Sequence, residues 1–148
     1  MNTIKNNDEF NLSRFEDAQE DVYERVILEL QNGQKRTHWM WFIFPQIHGL
    51  GQSSISILYA IKSEEEARAY LNHPILGKRL VQCVNTILAI NGLTSITIFG
   101  FIDNQKLKSS MTLFASISDK NSLFHQVLVK YFNGNEDIQT LKLLKLRK

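Results

Sequence analysis

Pro74-Ile75-Leu76-Gly77-Lys78-Arg79-Leu80-Val81-Gln82-Cys83-Val84-Asn85-Thr86-Ile87-Leu88-Ala89-Ile90-Asn91-Gly92 is the stretch on which the fold turns. Within it Ile75, Leu76, Leu80, Cys83, Val84, Ile87 and Leu88 recur at spacings of three and four, which paints one face of an α-helix. Proline is tolerated in the first turn, where its missing N–H is not needed, and Asn91-Gly92 supplies a stop. The spacing predicts a long central helix against which the other elements pack.

Working outward toward the N-terminus, Ser63 and Glu66 have the spacing of a capping box, and Glu64, Glu65 and Glu66 suit the positive end of a helix running to about Leu71. The same box is read at Ser13 and Glu16. From there Phe15, Ala18, Val22, Val26 and Leu30 predict one helix ended by Asn32-Gly33. The run Trp39 to Phe44 fits neither an amphipathic helix nor an alternating strand and is expected to be buried nearly all round. Pro45 pushes Phe44 out of helical geometry, so a tight irregular loop should follow through Gly49 and Gly51. A short helix is expected over Ser53 to Ile61.

Toward the C-terminus, Ile96 to Phe99 has the residues of a strand, but Ser95 can equally cap a helical turn closed by Gly100. The turn is preferred because no partner strand is evident. Asp103 is read as the cap of a short helix containing Leu107, followed by a separate apolar stretch over Ser109 to Ala115. Asn121 or Ser122 opens a helix that Asn133-Gly134 stops, and Asp137 caps the last. The expected fold class is therefore all-α: an irregular single-domain bundle of five to seven helices over 1–148, with 1–11 as a loose N-terminal segment and one short hairpin near Leu93 left open.

Composition sets the outer limits. A chain of 148 residues, 43% hydrophobic and 22% charged, suits one globular domain. A domain of this size buries about 70% of its unfolded surface, so stability demands neither a disulfide nor a metal. With Cys83 as the one cysteine, no intramolecular disulfide exists, which favours a reducing, cytoplasmic setting. The N-terminus lacks the apolar stretch of a signal peptide, and the most apolar run, Trp39 to Pro45, is far too short to span a membrane. A net charge of +2 with dispersed basic residues gives no reason to infer nucleic-acid binding. The basic tail, Lys142 to Lys148, reads as helix-end cations complementing the dipole.

Chemistry concentrates in two segments. The first, Arg36 to Ser54, holds His38, His48, Trp39, Trp41, Gln46 and the Gly49-Leu50-Gly51 turn, a mixture suited to a flat or anionic ligand. Equally, both tryptophans are suited to a core and the glycines to backbone turns. His48, beside Gly49, is expected to be more exposed than His38. Gly49 to Ser53 can aim N–H groups at a phosphate, yet it matches neither the phosphate-loop nor the dinucleotide pattern. The second segment, Asp103, Lys106, Lys108, Ser109, Ser110 and Thr112, offers a base, cations and hydroxyls, or a solvated turn. His38, His48, His73 and His125 lack metal-ligand spacing, so no metal and no cofactor are expected. His73, ahead of Pro74, reads as a helix cap.

The stretches Arg36-Thr37-His38-Trp39-Met40-Trp41-Phe42-Ile43-Phe44-Pro45-Gln46, Gly49-Leu50-Gly51, Ala67-Arg68-Ala69-Tyr70-Leu71, His73-Pro74-Ile75-Leu76-Gly77, Ile98-Phe99-Gly100 and Lys108-Ser109-Ser110-Met111-Thr112-Leu113-Phe114 resemble the bacterial domain-of-unknown-function 1810 family from Phe15 to Leu144. The resemblance implies a mainly helical single domain without an established activity. It also implies that both polar segments belong to the family signature, and hence a shared pocket lined by His38, Trp41, Gln46, Lys108 and Ser109. Ile102 to Gln105 departs from the family in being more polar and poorer in proline.

Three functions follow as expectations. The first is a small-ligand binding domain, with Arg36, Trp39, Trp41, Gly49, Gly51, Ser53 and Ser110 contacting a nucleotide-like or other anionic metabolite. The second is a metal-independent hydrolase or transferase, with His38 or His48 as general base and Gln46, Lys108 or Ser109 steadying negative charge. The third is an interaction or structural domain that pairs through an apolar patch near Leu141 to Leu146.

Overall fold

The computed structural model describes residues 8–146. Ten helices run through them: α1 (Ser13–Glu20), α2 (Tyr23–Gln31), α3 (Met40–Ile43), α4 (Ser54–Leu58), α5 (Glu64–Asn72), α6 (Leu76–Leu88), α7 (Ser95–Phe99), α8 (Phe101–Ser116), α9 (Leu123–Phe132) and α10 (Ile138–Leu146). The all-α expectation holds, but the count exceeds the five to seven read from the sequence. Three of the ten have four or five residues, too short to show a helical period. No hairpin forms near Leu93; among the described residues the extended pairing is an isolated parallel bridge between Ile47 and Ile61.

The helix expected from Ser13 to Gly33 is two, broken at Asp21 and Val22, because α1 packs on α3 whereas α2 packs on α6. The Ser13–Glu16 box does not form either. Asp8 takes its place: its carboxylate accepts from the N–H groups of Leu12 (2.6 Å) and Ser13 (3.1 Å). Those bonds pull the Asp8 carboxyl below the usual carboxylate range, against the upward push of burial. The loose segment expected over 1–11 lies, for residues 1–7, outside the described residues; at its other end Asn11 closes a backbone turn onto Asp8.

The second box is half realised. Ser63 Oγ accepts from the Glu66 N–H at 3.0 Å, but Glu66 turns to the Lys62 N–H and to Arg14, 2.7 Å away. His73 is the cap of α6, its Nδ1 accepting from the N–H groups of both Ile75 and Leu76 at 3.1 Å. At Gly77 the first turn of α6 presses on α5: a Cβ there would lie 1.9 Å from the Leu71 carbonyl oxygen.

The short helix assigned to Asp103 and the apolar stretch from Ser109 are one sixteen-residue helix, α8. Ser109 to Ala115 are buried on every side of it, which is why no amphipathic period marks its second half. Two of its hydroxyls remain compatible with the core by donating one turn back, Ser109 to Gln105 O at 3.1 Å and Thr112 to Lys108 O at 2.8 Å, whereas the buried Ser110 Oγ has no partner among the described residues. α8 packs on α5, α7, α9 and α10, and α6 packs on α2, α5 and α9. One hydrophobic core joins Phe15, Trp39, Phe44, Tyr70, Leu80, Ile87, Met111 and Phe114.

Ser122 caps α9 and Asp137 caps α10 as expected, and Asn133, at φ +57°, ends α9 in the left-handed conformation. In the apolar run near Leu141, Leu144 is in the core and Leu143 packs against it, while Leu146 is 78% exposed.

Candidate functional site

Glu29, which the sequence does not single out, organises the segment leading to the aromatic run. Its carboxylate accepts from the N–H groups of Arg36 (2.7 Å) and Thr37 (3.1 Å), from Thr37 Oγ1 (2.7 Å) and from Trp39 Nε1 (2.9 Å). Burial pushes its pKa up, but these four donors outweigh burial and hold the carboxyl below the usual range. Trp39 is thereby sealed into the core, so it is not a ligand platform. Arg36 gives its N–H to this knot while its guanidinium reaches Gln34 at 3.2 Å on the surface.

Past the knot, α3 is a single turn. Phe44, at φ −121° and ψ +74°, leaves helical geometry ahead of Pro45 as expected. The chain is then pinned by the Ile47–Ile61 bridge, where the His48 N–H donates to Ile61 O and the Ile61 N–H to Gln46 O, both at 2.8 Å. The loop that follows encloses a groove of about 440 Å³. Trp41, Gln46, His48, Gly49, Gly51 and Ser53 line one side, and Ile102, Gln105 and Lys106 of α8 the other. Gly51 is required by closeness, since a Cβ would approach Ser56 Oγ to 2.5 Å.

Trp41 is half-buried at the groove edge, and the Lys106 ammonium stands 5.0 Å from its ring centre. Lys106 and Lys35 both bridge Asp103, at 3.3 and 2.8 Å. Asp103 is therefore an ion-pair partner in the first turn of α8 and not a helix cap. His38 is exposed and lines a neighbouring cavity, whereas His48 is half-buried, the reverse of the order expected.

The two polar segments thus meet, but one turn earlier in α8 than the sequence suggests. Lys108 and Ser109 line neither cavity. Ser109, three residues after Lys106, shares its face of α8 but lies a turn further along the axis, beyond the groove, where its Oγ donates to Asp137 at 3.3 Å. Ser110 is wholly enclosed in the core. Lys106 replaces them at the groove. The anion cradle expected at Gly49 to Ser53 is also reduced, because α4 has five residues and Ser53 Oγ already takes the Ser56 N–H at 3.2 Å.

Another cavity, of about 850 Å³, lies between the C-terminus of α2 and α6. It is lined by the carboxamides of Gln31, Asn32, Gln82, Asn85 and Asn91, with Lys78 as its cation and no aromatic ring. Among the described residues, no three His, Cys, Asp or Glu side chains gather in a way that would hold a metal ion, and no helix is long and apolar enough to cross a membrane. Cys83 lies in the core, its thiol pushed up to about 12 by burial, so it is no nucleophile.

The model of the family described as protein of unknown function DUF1810 matches residues 9–144. Among solved structures, the chain is similar to the conserved hypothetical protein Rv1873 from Mycobacterium tuberculosis. The two are 49% identical, the match covers 93% of this chain and 99% of that one, and the TM-score is 0.91. No curated protein matches.

Proposed function

The chain belongs to the DUF1810 family of proteins of unknown function, and from that premise we propose that it is a small-ligand binding protein whose site is the Trp41–Lys106 groove. The observation that carries this reading is the Lys106 ammonium, 5.0 Å from the ring of a tryptophan that remains open to solvent. A ring beside a cation takes a flat group carrying negative charge, and Gln46 and His48 add hydrogen-bonding partners within the same groove. The ligand class is a nucleotide-like or other anionic metabolite.

The test is a thermal-shift screen of nucleotides and phosphorylated metabolites. A ligand at a hundred times its Kd adds about 2.7 kcal/mol, which raises Tm by about 5–10 °C for a chain of this length. Trp41→Ala should abolish that shift while leaving a cooperative unfolding transition. A flat response across the panel would discard the reading. The hydrolase or transferase alternative draws no support from Ser109, whose hydroxyl is committed to Gln105 and Asp137. The interaction alternative, placed at Leu141 to Leu146, loses Leu144 to the core and keeps Leu146, 78% exposed, as a single apolar side chain.

A further inference from the structure

The groove does not stop at Trp41. Beyond it lies a second cavity of about 410 Å³, and Trp41, Ile102 and Lys106 line both. The two differ in chemistry. Gln46, His48, Gln52 and Gln105 give the first amide and imidazole groups, whereas the second has no amide side chain and sets Phe99, Phe101 and Ile102 as an apolar wall beside Lys35, His38 and Asp103.

Gly100, at φ +84°, makes the turn between α7 and α8, and the two residues after it stand out from the surface. Phe101 is 69% and Ile102 70% exposed. Exposed apolar side chains occur elsewhere on the surface, but these two are adjacent and also line a cavity that a cation shares, which offers an apolar group a place beside a charge. The charge at the shared wall identifies what accompanies it. Asp103 is one carboxylate between two ammonium groups, Lys35 and Lys106, so this trio keeps one net positive charge. Lys35 and Asp103 line only the second cavity, and Lys35 is nearly covered, donating also to Thr37 O at 2.6 Å, so Lys106, the more exposed ammonium, is the member of the trio that faces both cavities.

We infer that the two cavities form one bipartite site for a soluble amphiphilic anion, with a flat hydrogen-bonding group on the Gln46–His48 side of Trp41, its anionic joint at Lys106, and an apolar group against Phe101 and Ile102. This rests on the groove reading above and adds the second half of the ligand. A nucleoside 5′-phosphate esterified to an alkyl group has this order of parts.

Calorimetric titration with the methyl and octyl phosphodiesters of adenosine 5′-monophosphate tests it. The octyl diester should bind at least about tenfold more tightly than the methyl diester, which carries the same single negative charge, since burying two methylenes supplies that factor. Phe101→Ser should erase the gain without changing binding of the methyl diester. Val129→Ser, at an equally exposed apolar position on α9, should change neither. Equal affinities for the two probes, or a gain that survives Phe101→Ser, would overturn the bipartite site and leave the groove reading standing. If neither probe nor any member of the nucleotide panel binds, the groove reading falls first and this inference with it. Phe101-dependent sedimentation with anionic phospholipid vesicles, without binding of the free octyl diester, would also overturn it, by making the apolar pair a membrane contact.

Discussion

Trp39 and Trp41 stand two residues apart, each with a lysine ammonium 5.0 Å from its ring, and both lysines bridge the same Asp103. One indole is structural and the other is the centre of the candidate site. What separates them is Glu29, which reaches from α2 to the Trp39 N–H and closes that ring into the core, while among the described residues no acid performs this for Trp41. An aromatic ring beside a cation is thus not a site in itself. It becomes one where tertiary packing leaves a face uncovered.

The largest expected effect falls on the closed side. Glu29→Ala leaves four donors without their acceptor and should cost about 3–5 kcal/mol by urea denaturation, with Trp39→Ala in the same range. Trp41→Ala should cost about 1–2 kcal/mol and be felt mainly in ligand binding. Equal losses at the two tryptophans would erase the distinction.

Acid sharpens the comparison. Because the folded-state pKa of Glu29 is depressed, its contribution is complete above the ordinary carboxylate value, 4.5, and is lost as pH falls through the lower folded value. Glu29→Gln should therefore flatten the fall of Tm below about pH 4.5 relative to the parent. Asp8, shifted in the same direction, keeps part of the slope. Parallel curves for parent and variant would remove the charged knot from the explanation.

A smaller change is expected at the shared acid. Asp103→Asn should cost about 1 kcal/mol, as partly exposed ion pairs do, while tightening anion binding at Lys106. Weaker binding would place the anion elsewhere. Finally, Cys83 should resist Ellman's reagent at pH 8 and react on unfolding, giving a probe of global opening that leaves the groove untouched.

Local signals in the sequence located several helix ends, though the box read at Ser13 and the cap read at Asp103 did not form. Ser63, His73, Ser122 and Asp137 act within three residues of themselves, so their role needs no knowledge of the rest of the chain. The pocket was legible in part: Trp41, Gln46, His48 and the glycines were in view, because aromatic, amide and glycine residues crowd into one short segment. Glu29 was not, since a glutamate in an amphipathic helix looks like any solvated acid until a loop seven to ten residues away folds over it. Nor was the choice of Lys106 over Lys108 and Ser109. Lys108 lies on another flank of α8 and Ser109 a turn further along the Lys106 flank, and where the loop meets the helix is set by packing that no local pattern records.

By itself, then, the sequence determined the all-helical class, most caps and stops, and the segment that carries the chemistry, because those follow from interactions within a few residues. Only the tertiary structure decided how the N-terminal helix divides, which tryptophan is sealed and which lysine meets the loop. Those outcomes depend on the rotation of one helix about its axis relative to another, and many distant contacts set that angle together.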